Sequence, residues 1–150
     1  MRTASVLLAL ALVSVPACKK SGPPEGPTGA TITASMPDTP EARAFAERLV
    51  AAPIEGRRIV ARSGGAAVAY HQIHLDPDGR WRAEATLDAR GDEIPCKESG
   101  QWRIARASSA EQGTVEWTRL KTNCPGRAAD ETQRLQLAYA PDGEVTLSFR

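Results

Sequence analysis

The sequence predicts a mostly β fold, an antiparallel up-and-down meander of about seven strands that forms a closed or nearly closed barrel, with one N-terminal helix. Three observations predict it. Beyond Pro53 apolar and polar side chains alternate, as a half-solvated antiparallel sheet requires. The turn sequences at 76–79 and 141–143 interrupt that alternation at hairpin spacing. No stretch of helical period lies between the strands, so a parallel sheet is disfavoured.

The helix is expected from Pro40 to about Ala51. Thr39 or Asp38 can cap its N-terminus, and a proline suits its first turn. Its apolar residues recur at i, i+3, i+4 and i+7 and form one stripe: Ala42, Phe45, Ala46 and Leu49. Such a stripe could bind a partner, but we expect it to cover an open end or one face of the domain.

The strands follow the helix at short intervals. They are expected near residues 57–62, 66–75, 80–87, 101–106, 114–118, 134–139 and 144–149. Ser99-Gly100 and Gln112-Gly113 are interpreted as turns between them. The three tryptophans, Trp81, Trp102 and Trp117, fall on inward positions. Because the chain has only seven aromatic residues, about 5%, we expect these indoles to fill the core rather than line a ligand cavity.

The N-terminus has the features of an export signal. Arg2 supplies a positive charge, and an apolar run from Ala4 to Val15 follows, too short to span a bilayer as a mature helix. The run ends in Val15-Pro16-Ala17-Cys18. This sequence resembles the lipobox of bacterial lipoproteins, which implies a signal peptide at 1–17 and diacylglycerol on Cys18. The alternative is an ordinary secretory signal, cut after Ala17, that leaves a soluble protein.

The resemblance implies a location in the cell envelope, anchored in the membrane through Cys18. Lys19 stands where an Asp would retain the protein at the inner membrane, so the outer membrane is favoured. Residues 18–39 are rich in Pro and Gly and are expected to form a flexible tether spanning about 25 Å. The folded domain is then expected at 40–150.

The cysteine count agrees with lipidation. Three cysteines in an exported chain leave one unpaired, and acylation of Cys18 accounts for it. Cys96 and Cys124 can then form a disulfide in an oxidising compartment such as the periplasm. Such a bridge is worth about 3.5 kcal/mol in the loop-entropy description.

Short glycine–tryptophan motifs recur in the strand region. They are Gly79-Arg80-Trp81, Gly100-Gln101-Trp102, and Gly113 before Trp117. Over residues 54–150 this pattern resembles the lipocalin-like small barrels of bacterial envelope proteins. The resemblance implies that a strand opens after a turn glycine and places an aromatic residue inside the barrel; it implies an architecture and no particular ligand.

Nothing in the sequence assembles a catalytic or metal site. His71 and His74 would share a face on a helix, but the flanking alternation favours a strand, which points them to opposite faces. We expect His74 to share a face with Tyr70 and Gln72 as a solvated group. Cys96 or Cys124 could serve as a nucleophile only with a depressed pKa and a paired base, so disulfide pairing is favoured. We therefore predict no enzyme, no metal and no cofactor.

Two sets of charged residues can be interpreted either as a functional site or as ordinary solvated surface. A paired-carboxylate hydrolase could use the four acids expected between two strands, Asp88, Asp92, Glu93 and Glu98. Arginines on outward strand positions could clamp an anion: Arg80, Arg82, Arg103, Arg106, Arg119 and Arg134. We favour solvation for the acids, and cross-strand pairing with Glu84, Glu116 and other carboxylates for the arginines.

The predicted function is therefore a non-catalytic envelope lipoprotein that acts as a protein-binding module, an adaptor or an inhibitor-like barrel. Its loops at Asp88–Ser99 and Lys121–Asp130, which the disulfide would join, are the expected contact surface. The alternative is a carrier of a small apolar ligand inside the barrel. A formal net charge of +1 gives no basic excess, so no nucleic-acid partner is expected.

Overall fold

The computed structural model describes residues 31–63, 66–89 and 92–149, without the side chains of 56–63, 66 and 89. The elements are one helix, α1 (Pro40–Ala51), and seven strands: β1 (Ile54–Ser63), β2 (Ala66–Leu75), β3 (Arg80–Ala89), β4 (Asp92–Ala107), β5 (Gln112–Thr122), β6 (Glu131–Tyr139) and β7 (Val145–Phe149). The predicted mostly β fold with one N-terminal helix is confirmed. The predicted signal peptide, the lipobox and Cys18 lie outside the described residues.

The strands form a single sheet in which every pair of sequence neighbours is antiparallel. The order is β1-β2-β3-β4-β5-β6-β7, so the chain winds up and down without a crossover. The sheet curls until β1 and β7 lie next to each other. The result is a nearly closed barrel, in which the curling brings the two edge strands together.

Helix α1 covers one end of this barrel. The Thr39 hydroxyl accepts a hydrogen bond from the Ala42 amide at 3.2 Å and caps the helix. The whole apolar stripe is buried, and Phe45 lies against Gly113 at the start of β5, where a Cβ atom would come within 2.4 Å of the Phe45 ring. The Tyr139 ring meets Phe45 edge-on, with the centroids 6.5 Å apart. The stripe therefore packs on the domain at the end that carries the β4–β5 turn.

The chain is attached to the barrel before the helix begins. The amides of Thr33 and Ala34 donate hydrogen bonds to the Pro77 carbonyl at 2.8 and 3.0 Å, and the Ile104 amide donates to the Ser35 carbonyl at 2.9 Å. Here the structure differs from the predicted tether at 18–39, because residues 33–35 belong to the domain. The attachment combines these backbone hydrogen bonds with side-chain packing, since Ala34 is buried and Ile32 and Met36 pack against the core. Scattered among Pro and Gly, these few apolar residues gave no periodic signal.

Strand β4 is longer than predicted, and the turn expected at Ser99-Gly100 is wrong. Gly100 lies in the middle of β4, where an added Cβ atom would be 1.8 Å from the Thr118 carbonyl oxygen and 2.8 Å from Trp81 Nε1. Trp81 Nε1 donates a hydrogen bond to the same carbonyl at 3.1 Å. Glycine is thus required because the Trp81 indole and the Thr118 carbonyl lie so close to the Gly100 backbone that no Cβ atom fits. It is not required for a turn.

Replacing Gly100 by Ala is expected to lower the free energy of unfolding by about 1–3 kcal/mol, because β4, β5 or the Trp81 ring must shift to admit the methyl group. Chemical denaturation followed by tryptophan fluorescence measures the effect. Gln101→Ala, at the exposed neighbouring position, should change stability by less than about 0.5 kcal/mol. Equal stability of the Gly100 variant and the wild type would contradict this account.

Two bulges change which side chains face inward. In β2, Tyr70 pairs with Ala85 and Gln72 with Glu84, so His71 is an extra residue. Tyr70 consequently points into the barrel, and the expectation that His74 shares its face is wrong. In β5, Arg119 pairs with Gly100 and Lys121 with Ser99, so Leu120 is the extra residue and remains 42% exposed.

The tryptophans occupy the interior, as predicted. Trp81, Trp102 and Trp117 are each at most 3% exposed. The rings of Trp81 and Trp117 are stacked with centroids 4.2 Å apart, and Tyr70 meets Trp117 edge-on at 5.4 Å. Stacked rings of this kind fill the middle of the barrel with side chains.

Candidate functional site

The disulfide closes the end of the barrel opposite the helix. Cys96 and Cys124 are bonded, with their Cα atoms 5.0 Å apart. Cys124 lies in the β5–β6 loop, at residues 123–130, whereas Cys96 lies within β4. The pairing is as predicted, but the bridge joins a loop to a strand and does not join two loops, because most of the predicted loop Asp88–Ser99 is β4.

An arginine from the same loop enters the barrel. The Arg127 side chain is 0% exposed. Its Nε donates to a carboxylate oxygen of Glu98 at 2.8 Å, and its Nη2 donates to the Tyr70 hydroxyl at 3.0 Å. The β5–β6 loop is therefore held over the barrel end by an ion pair as well as by the disulfide.

Glu98 is the centre of a buried polar network. Its carboxylate accepts hydrogen bonds from Arg127, from the Tyr70 hydroxyl and, at 2.9 Å, from Thr122 Oγ1. Arg119 approaches it at 3.1 Å and also pairs with Glu131 at 2.9 Å. One carboxylate thus neutralises part of the charge of two arginine side chains that are at most 2% exposed.

This network corrects two predictions. Glu98 was expected in a solvated loop and Arg119 on the outer face, yet they are 2% and 1% exposed. Glu98 has the same parity along β4 as the buried Cys96 and Trp102. Arg119 likewise follows Trp117 by two residues, on the inward side of β5. The alternation that located the tryptophans could therefore have found both residues, whereas no pattern indicates Arg127.

The protonation states in the network are fixed by its contacts. Burial alone would raise the pKa of Glu98, but the hydrogen bonds from Arg127 and Tyr70 and the charges of Arg127 and Arg119 outweigh it and lower that pKa. Burial and the negative charge of Glu98 raise the pKa of Tyr70 far above its ordinary value. Glu98 therefore stays ionised and Tyr70 protonated near neutral pH, so this pair is not poised to exchange a proton there.

Most of the outward-facing arginines form ion pairs with carboxylates. This is the interpretation that the sequence favoured over an anion-binding surface. Arg103 and Arg134 both donate to Glu116, at 2.7 and 2.8 Å, and these bonds lower the pKa of the Glu116 carboxyl. Arg80 and Arg82 pair with acids of the adjoining β2–β3 turn, Asp78 and Asp76, and Lys97 pairs with Glu84 across β3 and β4. Arg106 has no ion pair among the described residues.

The other predicted polar groups do not converge. His71 contacts the Thr86 hydroxyl, and His74 lies 3.0 Å from the Gln72 side-chain oxygen. Asp88, Asp92 and Glu93 lie at exposed positions near the ends of β3 and β4, away from the buried Glu98, so the four acids do not share a loop. Within residues 31–63, 66–89 and 92–149, no three His, Cys, Asp or Glu side chains are placed to hold a metal ion.

A groove lies on the outside of the barrel across β2, β3, β4 and β5. Its volume is about 660 Å³, and the side chains that border it include Gln72, His74, Arg82, Lys97, Ser99 and Lys121. We call it the outer groove. Smaller outer concavities lie across β4–β6 beside Glu116, at about 400 Å³, and across β4–β7 beside Arg106, at about 180 Å³.

Comparison with protein-family models, curated proteins and solved structures found no match to this chain. In the part of the chain that the structure describes, α1 is the single helix, and it is not a candidate for a membrane span.

Proposed function

We propose that this protein is a non-catalytic lipoprotein of the bacterial cell envelope that binds another protein on the outer surface of its barrel. The observation that supports a binding surface over an internal site is the filling of the barrel. Stacked rings of Trp81 and Trp117 occupy the middle, α1 covers one end, and the Arg127 side chain enters the other. The outer groove, in contrast, is open to a partner.

The attachment of the N-terminal segment at one end of the barrel is compatible with a protein-binding role for a membrane-anchored domain. Residues 33–35 enter at the end that carries the β2–β3 turn, whereas the β5–β6 loop with Cys124 lies at the opposite end. An anchor at Cys18 would therefore present the disulfide end away from the membrane. Without residues 1–17 the chain has equal numbers of basic and acidic side chains, so attachment depends on the lipid rather than on charge.

The second candidate is the carrier of a small apolar ligand, which the barrel topology favours by analogy with other ligand-holding barrels. Such a ligand would have to displace aromatic rings or the Arg127–Glu98 pair from the interior. A stacked aromatic pair contributes about 0.5–1.5 kcal/mol beyond its burial, so the displacement is costly. The filled interior therefore supports the protein-binding role.

We expect the tagged full chain, purified in mild detergent from bacterial envelopes, to retain a stoichiometric protein partner. Wild type should fractionate with the outer membrane and carry an N-terminal lipid by mass spectrometry, whereas Cys18→Ser should lack the lipid and leave the membrane fraction. A partner-free monomer that releases a small apolar molecule into organic solvent would instead establish the carrier role. A partner-free monomer that releases nothing would overturn both candidates.

A further inference from the structure

We propose that the outer groove binds an acidic segment of the partner polypeptide, with one carboxylate seated above Ser99. The proposal rests on the protein-binding function and adds the chemistry of the partner. It is carried by the arrangement of cationic side chains around a short residue, Ser99, in this groove.

Four of the residues that border the groove lie in one cross-strand row. His74 is opposite Arg82, Arg82 is opposite Ser99, and Ser99 is opposite Lys121. With strands about 4.8 Å apart, the row is about 14 Å long. That length matches about four residues of extended polypeptide, at about 3.3 Å per residue.

Ser99 makes a gap in this row. Arg82 and Lys121 stand on either side of it, two strands and therefore about 9.6 Å apart at the backbone. Both are exposed, and both have long side chains that can lean over the serine. A carboxylate in the gap can accept hydrogen bonds from a guanidinium, an ammonium and the Ser99 hydroxyl.

The charge around the gap favours an anion. Arg82 Nη1 lies 2.9 Å from a carboxylate oxygen of Asp76, and Lys97 Nζ lies 3.1 Å from one of Glu84. Both ion pairs are exposed to solvent and are therefore weak. The Lys121 side chain has no hydrogen bond or ion pair among the described residues.

Two acids line the groove, Glu84 and Glu98, and Glu98 does not cancel this charge. The Glu98 side chain is turned into the barrel, where it is 0% exposed and already held by Arg127 and Arg119. The other lining acid, Glu84, is paired with Lys97. Among the lining residues, three cations on the open side, Arg82, Lys97 and Lys121, thus stand against this one exposed carboxylate.

A fluorescent hexaglutamate peptide is the probe. Wild type should bind it at low salt, more weakly as salt rises, and should not bind hexalysine. Lys121→Glu should weaken binding about tenfold. Arg106→Glu is the matched control, since Arg106 is also exposed on a strand and also lacks an ion pair in the described parts of the chain; its affinity should stay within about twofold.

Thermal unfolding of both variants should match the wild type, so that a loss of binding is not a loss of fold. No peptide binding by wild type, or equal weakening by the two substitutions, would overturn the inference. Binding of phosphatidylglycerol vesicles through Lys121, without binding of the peptide, would assign the groove to a membrane surface and overturn it as well.

The same variants separate this inference from the proposed function. If Lys121→Glu still retains the co-purified partner in full, the protein-binding function stands and the groove assignment fails. If wild type retains no partner but binds hexaglutamate through Lys121, the preference for carboxylates stands and the proposed function fails.

Discussion

Glu98→Gln is expected to lower the free energy of unfolding by about 3–5 kcal/mol, the largest effect of any single substitution considered for this chain. The substitution leaves Arg119 and Arg127, at most 2% exposed, without the carboxylate that faces both. It also places an amide where the Tyr70 hydroxyl now donates to an anion. An uncompensated buried charge is among the most destabilising changes a folded protein can undergo.

Urea denaturation at several pH values measures this effect. The lowered pKa of Glu98 means that its stabilisation is fully present above the ordinary glutamate pKa and is lost as the pH falls through the folded-state value. The difference between wild type and Glu98→Gln should therefore be largest near neutral pH and shrink in acid below about pH 4.5. Glu111→Gln, at an exposed position, should change stability by less than about 0.5 kcal/mol at neutral pH.

A double-variant cycle separates the ion pair from general damage. Arg127→Met also removes one partner, so it should destabilise strongly on its own. The combination with Glu98→Gln should cost less than the sum of the two single effects, because the two residues are in direct contact at 2.8 Å. Strict additivity would show that the Glu98–Arg127 contact contributes nothing of its own.

Replacing both Cys96 and Cys124 by Ser is expected to lower the free energy of unfolding by about 3.5 kcal/mol. The bridge spans 28 positions of the chain and restricts the unfolded ensemble accordingly. Both sulfur-bearing residues are at most 4% exposed, so the serine hydroxyls also enter an apolar environment and add to the loss.

Denaturation of wild type with and without a phosphine reductant measures the bridge independently of the substitutions. Reduced wild type should approach the stability of the double variant, and the double variant should not respond to reductant. If reduction leaves wild-type stability unchanged while the thiols are titratable, the bridge makes no contribution to the folded domain.

Most of the architecture could be predicted because alternation and turn chemistry are local signals. Trp81, Ala83, Ala85 and Leu87 alternate without interruption, and all are buried in β3. The helix bounds, Pro40 and Ala51, follow from a capping residue, a proline and one stripe. Each of these features is set by neighbours within a few positions along the chain.

The polar network and the outer groove could not be predicted in the same way. The bulges at His71 and Leu120 shift the pleat by one residue, and nothing in their side chains marks them. Arg127 is placed by a disulfide and a partner 29 positions away along the chain. Ser99 looks like part of a turn until β4 is seen to continue through it. These features depend on contacts between distant strands, which alternation does not encode.

The hydrogen bonds at residues 33–35 have a mechanical consequence for a chain held by its N-terminus. If the chain is held by the proposed lipid anchor at Cys18, a pull there reaches the hydrogen bonds to Pro77 and Ile104 before it reaches helix α1. The load thus passes directly into the β2–β3 turn and strand β4, and the helix that seals the barrel is spared until those bonds give way. A force on the proposed protein partner would then be carried by the sheet and not by the helix.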